Sequence, residues 1–240
     1  GIGYAVAESL AQAGCNVHLA ARTAADLEAA QGRLKEYGVN VEIHPTDLSD
    51  GDAARALVEK CKDVDILVNN AGAIPGGDIH SITEDRWRDA WNLKVFGYQN
   101  MCRAMLAHMR ERGNGVIVNV IGSAGEAHSP AYIAGTAGNA SLMAMTRALG
   151  ATSRSYGVRV VGINPGLIAT GRMTTLLRNK AEKELGDAEK WEELIDKTYP
   201  PGEPEHIGDM VAFLASDRSS NTTGTIITID GGSSARGTSV

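Results

Sequence analysis

Ile66-Leu67-Val68-Asn69 runs directly into Asn70-Ala71-Gly72. The apolar residues are continuous rather than alternating, as in a strand with both faces covered inside a parallel sheet. The residues that follow are turn formers, so the strand stops abruptly. Five more runs of this kind lie at 16–20, 41–44, 116–120, 158–163 and 225–229. Helix-patterned stretches separate them, at 4–13, 24–37, 51–61, 84–110, 131–156 and 205–215. This alternation predicts one α/β domain over 1–240, a Rossmann-like doubly wound parallel sheet between helices. Gly14 and Gly38 close the first two helices, as left-handed caps do.

Composition narrows the function. At 240 residues and 43% hydrophobic, the chain can bury one sizeable core. Its net charge is −6, which argues against nucleic acid or an anionic membrane as partner. No apolar run reaches the roughly 18 residues of a membrane span. Cys15, Cys61 and Cys102 are odd in number, widely spaced and without a Cys-x-x-Cys pair. They read as buried reduced thiols of a cytoplasmic protein, with no metal site. The segment 171–201 is charged and helix-prone and fits no strand–helix unit. It reads as a surface insertion or a substrate lid. Gly1-Ile2-Gly3 runs straight into a helix, where a strand and a Gly-rich turn are expected first. In the common doubly wound order that strand is central.

Four motifs stand in order along this frame. They are Asn69-Asn70-Ala71-Gly72, Tyr132 at the start of a long helix, Asn164-Pro165-Gly166 with Thr170, and Asp230-Gly231-Gly232. Together they resemble the short-chain dehydrogenase/reductase family over essentially the whole chain. The resemblance implies a nicotinamide-dependent oxidoreductase acting on a small carbonyl or alcohol, assembled as a homotetramer or homodimer. Gly1, Ile2 and Gly3 match the tail of the family's Gly-rich turn, where bare backbone lets a pyrophosphate approach a helix N-terminus. Asp47 and Leu48 match the adenine contact, although a turn Asp reads equally well. Asn69, Ala71 and Gly72 match the loop passing the adenine ribose, and Asn69 also reads as a structural hydrogen-bonder. Pro165, Gly166, Ile168 and Thr170 match the stretch that holds the nicotinamide. Leu19-Ala20-Ala21-Arg22 ends the second expected strand. It lacks the acid that would hold an NAD ribose, and Arg22 favours the 2′-phosphate of NADP(H) over NAD(H).

The expected catalytic residues depart from the family pattern. Family members use Asn, Ser, Tyr and Lys, with the Lys four residues after the Tyr. Here Tyr132 is the acid/base, Asn92 matches the Asn, and Thr136 stands where the Lys belongs. A threonine can bond a ribose hydroxyl but cannot lower a tyrosine pKa by its charge. Aligned from the strand, the family Ser falls on Gly122; Ser123, or Ser129 in a shortened loop, is the candidate donor. His128, in the same loop, is more simply a surface residue. Slow turnover or a raised pH optimum is expected. The alternative is a catalytically degenerate dinucleotide-binding protein acting as sensor or assembly subunit. Of the other cations, Lys94 is two residues from Asn92 and points to a different helix face, and nothing in the sequence supports Arg147 or Arg172.

Overall fold

A computed structural model of the chain describes residues 1–236. Its strands, all parallel, are β1 (Val17–Ala21), β2 (Val41–Pro45), β3 (Ile66–Asn69), β4 (Gly115–Val120), β5 (Val158–Pro165) and β6 (Ile226–Ile229). The α-helices are α1 (Ile2–Gln12), α2 (Ala24–Leu34), α3 (Gly51–Lys60), α4 (Glu84–Trp91), α5 (Gly97–Arg112), α6 (Ala124–Ala127), α7 (Ile133–Ser153), α8 (Gly171–Leu185) and α9 (Pro204–Ala215). This is the expected α/β Rossmann-like architecture. None of the described helices is long and apolar enough to cross a membrane.

β4 and β5 are buried along their whole length. Their side chains divide by the period of two of a strand. Ile117, Val158 and Val160 pack beneath α3 and α5 with Leu57, Met105 and Met109. Val118, Val120, Val161 and Ile163 pack on the opposite face with Val6, Ile207 and Val211. Burial on two faces is why these strands read as unbroken apolar runs.

The sheet comes in two pieces, β2–β1 and β3–β4–β5–β6. No ladder joins β1 to β3 among the described residues. α1 bridges the pieces, with Ala7 and Ala11 on Val17, Leu34 and Val41, and Val6 on the β4–β5 core. Behind it lies α9, where Gly208 is required because a Cβ there would stand 2.6 Å from the Ala5 carbonyl.

Between α4 and α5 the helix continues through a π turn at Asn92–Phe96, the kind of interruption often found at functional sites. The segment 171–201 is α8 followed by a 3₁₀ stretch, Ala188–Leu194.

Arg159 is the buried polar anchor of the far edge. Its guanidinium donates to the carbonyls of Leu214 (2.7 Å), Ala215 (3.3 Å), Ser216 (3.0 Å) and Thr222 (3.4 Å) and to Ser219 Oγ (3.0 Å). These close the C-terminal end of α9, whose last carbonyls lack helical partners. Arg159→Leu leaves several of them buried and unpaired, so urea unfolding should show a loss of about 3 kcal/mol. An unchanged midpoint would show that water replaces the guanidinium without cost.

Candidate active site

The candidate residues gather along one rim, the carboxyl ends of the parallel strands. Arg22 follows β1, Asp47 follows β2, Asn70-Ala71-Gly72 follows β3, Ser123 lies just beyond β4, and Gly166 follows β5. In open α/β sheets this is the side on which ligands bind.

At the β1–β2 end, Arg22, Asp47, Ser49 and Asn92 line a cavity of about 480 Å³. Asp47 forms a turn, accepting from Ser49 N at 3.0 Å and Ser49 Oγ at 2.7 Å. These bonds, with the Arg22 charge, hold its carboxyl below the usual range. The Leu48 carbonyl faces α5 at Gly97, where a Cβ would approach it to 3.0 Å. The Gly1 carbonyl receives Tyr4 N and Ala5 N and opens α1. A Cβ on Gly3 would lie 2.7 Å from the Asn70 side chain, so the two Gly-containing motifs meet. The bare N-terminus of α1 and the glycine backbone beside it form a set that fits the pyrophosphate of a dinucleotide. Ile2 and Ile168 turn their side chains into the core, so what they offer a ligand is backbone.

The Asn69 side chain turns away from the rim. Its side chain is buried and donates to Asn119 Oδ1 at 2.9 Å. Asn119 donates to Thr146 Oγ1 at 2.9 Å, and Thr146 to the Leu142 carbonyl at 2.7 Å. This chain of bonds ties β3 and β4 to α7. Thr170 caps α8, accepting from Met173 N at 3.2 Å.

Tyr132 is the N-cap of α7 rather than its first helical residue, with φ −139° and ψ 42°. The loop after β3 is stitched to this entry by Gly77 N to Ala131 O (2.8 Å) and Ile133 N to Gly77 O (3.2 Å). Trp91 Nε1 donates to the Ala134 carbonyl at 3.0 Å. The phenol ring lies over Gly135, where a Cβ would fall 2.0 Å from a ring carbon. Burial pushes the Tyr132 pKa up; the charge of the nearby Arg172 guanidinium pulls the other way. Arg172 also donates to the Ile74 carbonyl at 2.8 Å, which fixes it across the rim from α8. The cation near the tyrosine therefore comes from the segment 171–201.

Thr136 N donates to Tyr132 O at 2.8 Å, and its hydroxyl reaches the Ser129 carbonyl at 3.4 Å. Gly122 has φ +133°, and a Cβ there would sit 3.0 Å from Asn139 Nδ2. A serine at that position would be strained, which accounts for the glycine. Ser123 N bonds the Pro165 carbonyl at 3.0 Å, and among the described residues its hydroxyl makes no hydrogen bond. It is half-buried and available to a ligand. His128 is exposed, in a left-handed conformation.

Asn92 is exposed, and no hydrogen bond joins it to Tyr132 among the described residues. Lys94 is the residue of the π turn that points inward. Its ammonium donates to the carbonyls of Val120 and Ile121, each at 3.0 Å, and to Tyr98 Oη at 3.2 Å. Its stem passes under Gly72, where a Cβ would be 2.3 Å from Lys94 Cδ.

Residues 1–234 match the family model described as enoyl-(acyl carrier protein) reductase. The 3-oxoacyl-[acyl-carrier-protein] reductase of Chlamydia trachomatis is 32% identical over 240 residues, covering 97% of this chain and 92% of the relative. The chain belongs to the short-chain dehydrogenase/reductase family. L-sorbose reductase of Gluconobacter frateurii, solved with NADPH and L-sorbose, superposes with a TM-score of 0.88 at 28% identity, covering 96% of this chain and 91% of that one. An NAD⁺-bound xylitol dehydrogenase superposes at 0.87 with 25% identity, covering 96% and 94%. For this short-chain dehydrogenase/reductase, the sequence had not singled out Arg172 from other cations. Neither had it linked Cys61 to any histidine. Cys15 and Cys61 are half-buried, and only Cys102 is fully buried as expected; Cys61 stands beside His18 and His44.

Proposed function

We propose that this short-chain dehydrogenase/reductase is an NADP(H)-preferring oxidoreductase of the cytoplasm, acting on a carbonyl or secondary alcohol. The observation that carries this reading is the gathering of Arg22, Gly72, Ser123 and Gly166 at the carboxyl ends of the parallel strands, with the loop after β3 bonded to the Tyr132 entry of α7. When bound, the nicotinamide supplies or takes the hydride. Tyr132 passes a proton to or from the substrate oxygen. Ser123 donates a hydrogen bond to the same oxygen. Arg172 does by charge what a lysine at position 136 does in relatives. α8 covers the substrate, and Gly1, Ile2, Gly3, Asp47, Leu48, Ala71, Gly72, Pro165, Gly166, Ile168 and Thr170 shape the dinucleotide cleft through backbone and caps. The test is NADPH consumption with a panel of small ketones, sugars and acyl thioesters. Binding of NADPH with no turnover on any of them would favour the degenerate sensor, the reading that Thr136 supports.

Arg22 carries the cofactor preference. Arg22→Ala should weaken NADPH by roughly 10–100-fold, since a hydrogen bond to a charged group contributes about 1.5–3 kcal/mol. NADH should bind as before, and adding Ala21→Asp should reverse the preference. Calorimetry showing equal losses for both dinucleotides would place Arg22 away from the 2′-phosphate.

A groove of about 620 Å³ between α5 and α7, lined by Leu106, Met145, Leu149 and Tyr156, supports assembly through these helices. Sedimentation should give a dimer or tetramer.

A further inference from the structure

β1 and β2 place two histidines on one face of the sheet. In the ladder His18 stands opposite Glu42 and Ala20 opposite His44. Side chains two apart on a strand share a face, so the imidazoles lie diagonally across the pair. Their rings meet edge to edge at His18 Nδ1 and His44 Nε2, with centroids 5.3 Å apart and planes 11° from parallel. Over this face runs α3, and Cys61 is the residue that ends it. Three potential ligands thus arrive from three elements, separated by 26 and 17 positions of chain.

Their donor atoms converge. His18 Nδ1 is 3.0 Å from His44 Nε2, and Cys61 Sγ is 3.6 Å from the first and 3.7 Å from the second. A zinc ion has bonds of about 2.0–2.1 Å to nitrogen and about 2.3 Å to sulfur. At tetrahedral angles such bonds set N···N near ~3.3 Å and N···S near ~3.6 Å. The observed triangle matches these edges to within a few tenths of an ångström. Glu42 Oε2 lies 3.6 Å from His18 Nδ1, on the solvent side, and Glu42 is exposed. Solvent therefore reaches the site.

We propose that His18, His44 and Cys61 bind one Zn²⁺, with the fourth position open to solvent. Two imidazoles and a thiolate are a ligand set that suits zinc over the harder divalent ions. Zn²⁺ displaces the thiol proton of Cys61, so affinity rises with pH. The ion clips β1 and β2 to α3. Those strands lead into Arg22 and Asp47, so the clip steadies the cleft's β1–β2 end. The site stands apart from Tyr132 and does not depend on the reaction proposed above.

The test uses the full chain without an affinity tag, stripped of metal. Competition with a chromophoric chelator should give one Zn²⁺ per chain. Co²⁺ should give the visible bands of a tetrahedral site and a thiolate charge-transfer band. Cys61→Ser and His44→Gln should each weaken Zn²⁺ at least tenfold, and Cys61→Ser should remove the charge-transfer band. Cys15→Ser should change neither. Zn²⁺ should raise the melting temperature of the unmodified chain and of Cys15→Ser, but not of the other two. These melts also show whether each variant is folded. Absence of binding at tens of micromolar Zn²⁺, or binding that survives both Cys61→Ser and His44→Gln, overturns the proposal; three side chains joined only by hydrogen bonds would give the first result.

Discussion

Tyr132→Phe should lower kcat/KM by about 10²–10⁴-fold, the range of a positioned general acid or base. The fold should be unaffected, because the ring keeps its seat over Gly135 and only the hydroxyl is lost. The more informative partner is Arg172→Leu. An opposite charge within about 4–6 Å lowers an acid's pKa by roughly 1–3 units. Removing the guanidinium should therefore raise the Tyr132 pKa further, since burial already pushes it up. In alcohol oxidation the phenolate is the base, so the rising limb of the pH profile should move to higher pH and the neutral rate should fall about tenfold or more. In carbonyl reduction the phenol is the acid, so activity should persist to higher pH than in the unmodified enzyme. Arg172→Lys should keep most of the charge effect and lose the bond to the Ile74 carbonyl. Thr136→Lys adds a second cation near one already present, and its gain at neutral pH should be small. Should Arg172→Leu leave the profile in place while Thr136→Lys shifts it, the guanidinium is not the tuning charge.

The contrast between Tyr132 and Arg172 shows what can be read from a chain of residues. Tyr132 is legible because it opens a long helix at a fixed place among other motifs. Arg172 lies 40 positions further on, on another element. Only the return of α8 across the rim brings it to the phenol, and no local spacing records that return. The strands were legible for a simple reason. Burial on both faces demands continuous apolar runs, and β3 matches its expected bounds while the others shift by at most two residues at an end. The caps were equally plain: Gly14 and Gly38 have φ of +85° and +76°. Asn69 shows the limit. Either face of its role requires the same residue type, and the choice depends on Asn119 and Thr146 behind it. Gly122 needed the backbone angle to explain why no serine stands there. The cluster of His18, His44 and Cys61 depends on strand register and on where α3 ends. Neither is visible in a spacing of tens of residues.

Lys94→Met should change stability with a sign that depends on pH. Lys94 is fully buried, and burial pushes its pKa from 10.5 to about 7, with the Arg172 charge acting the same way. A lysine whose folded pKa is depressed binds more protons in the unfolded chain between those values. Stability therefore rises with pH from about 7 to about 10.5, and below about 7 the full burden is present. At about 1.4 kcal/mol per unit, that burden is on the order of 5 kcal/mol. Methionine removes it. Against this, Lys94→Met leaves the Ile121 carbonyl without its donor, a cost of about 1–3 kcal/mol at any pH. The Val120 carbonyl keeps the Tyr98 hydroxyl, 2.8 Å away. At pH 6 the variant should thus be more stable than the unmodified chain by roughly 2–4 kcal/mol. Near pH 10, where the amine is mostly neutral in the fold, it should be less stable by about 1–2 kcal/mol. Urea unfolding at the two pH values checks both numbers. A difference that does not vary with pH would mean the ammonium stays charged in the folded protein, its three acceptors outweighing the loss of water.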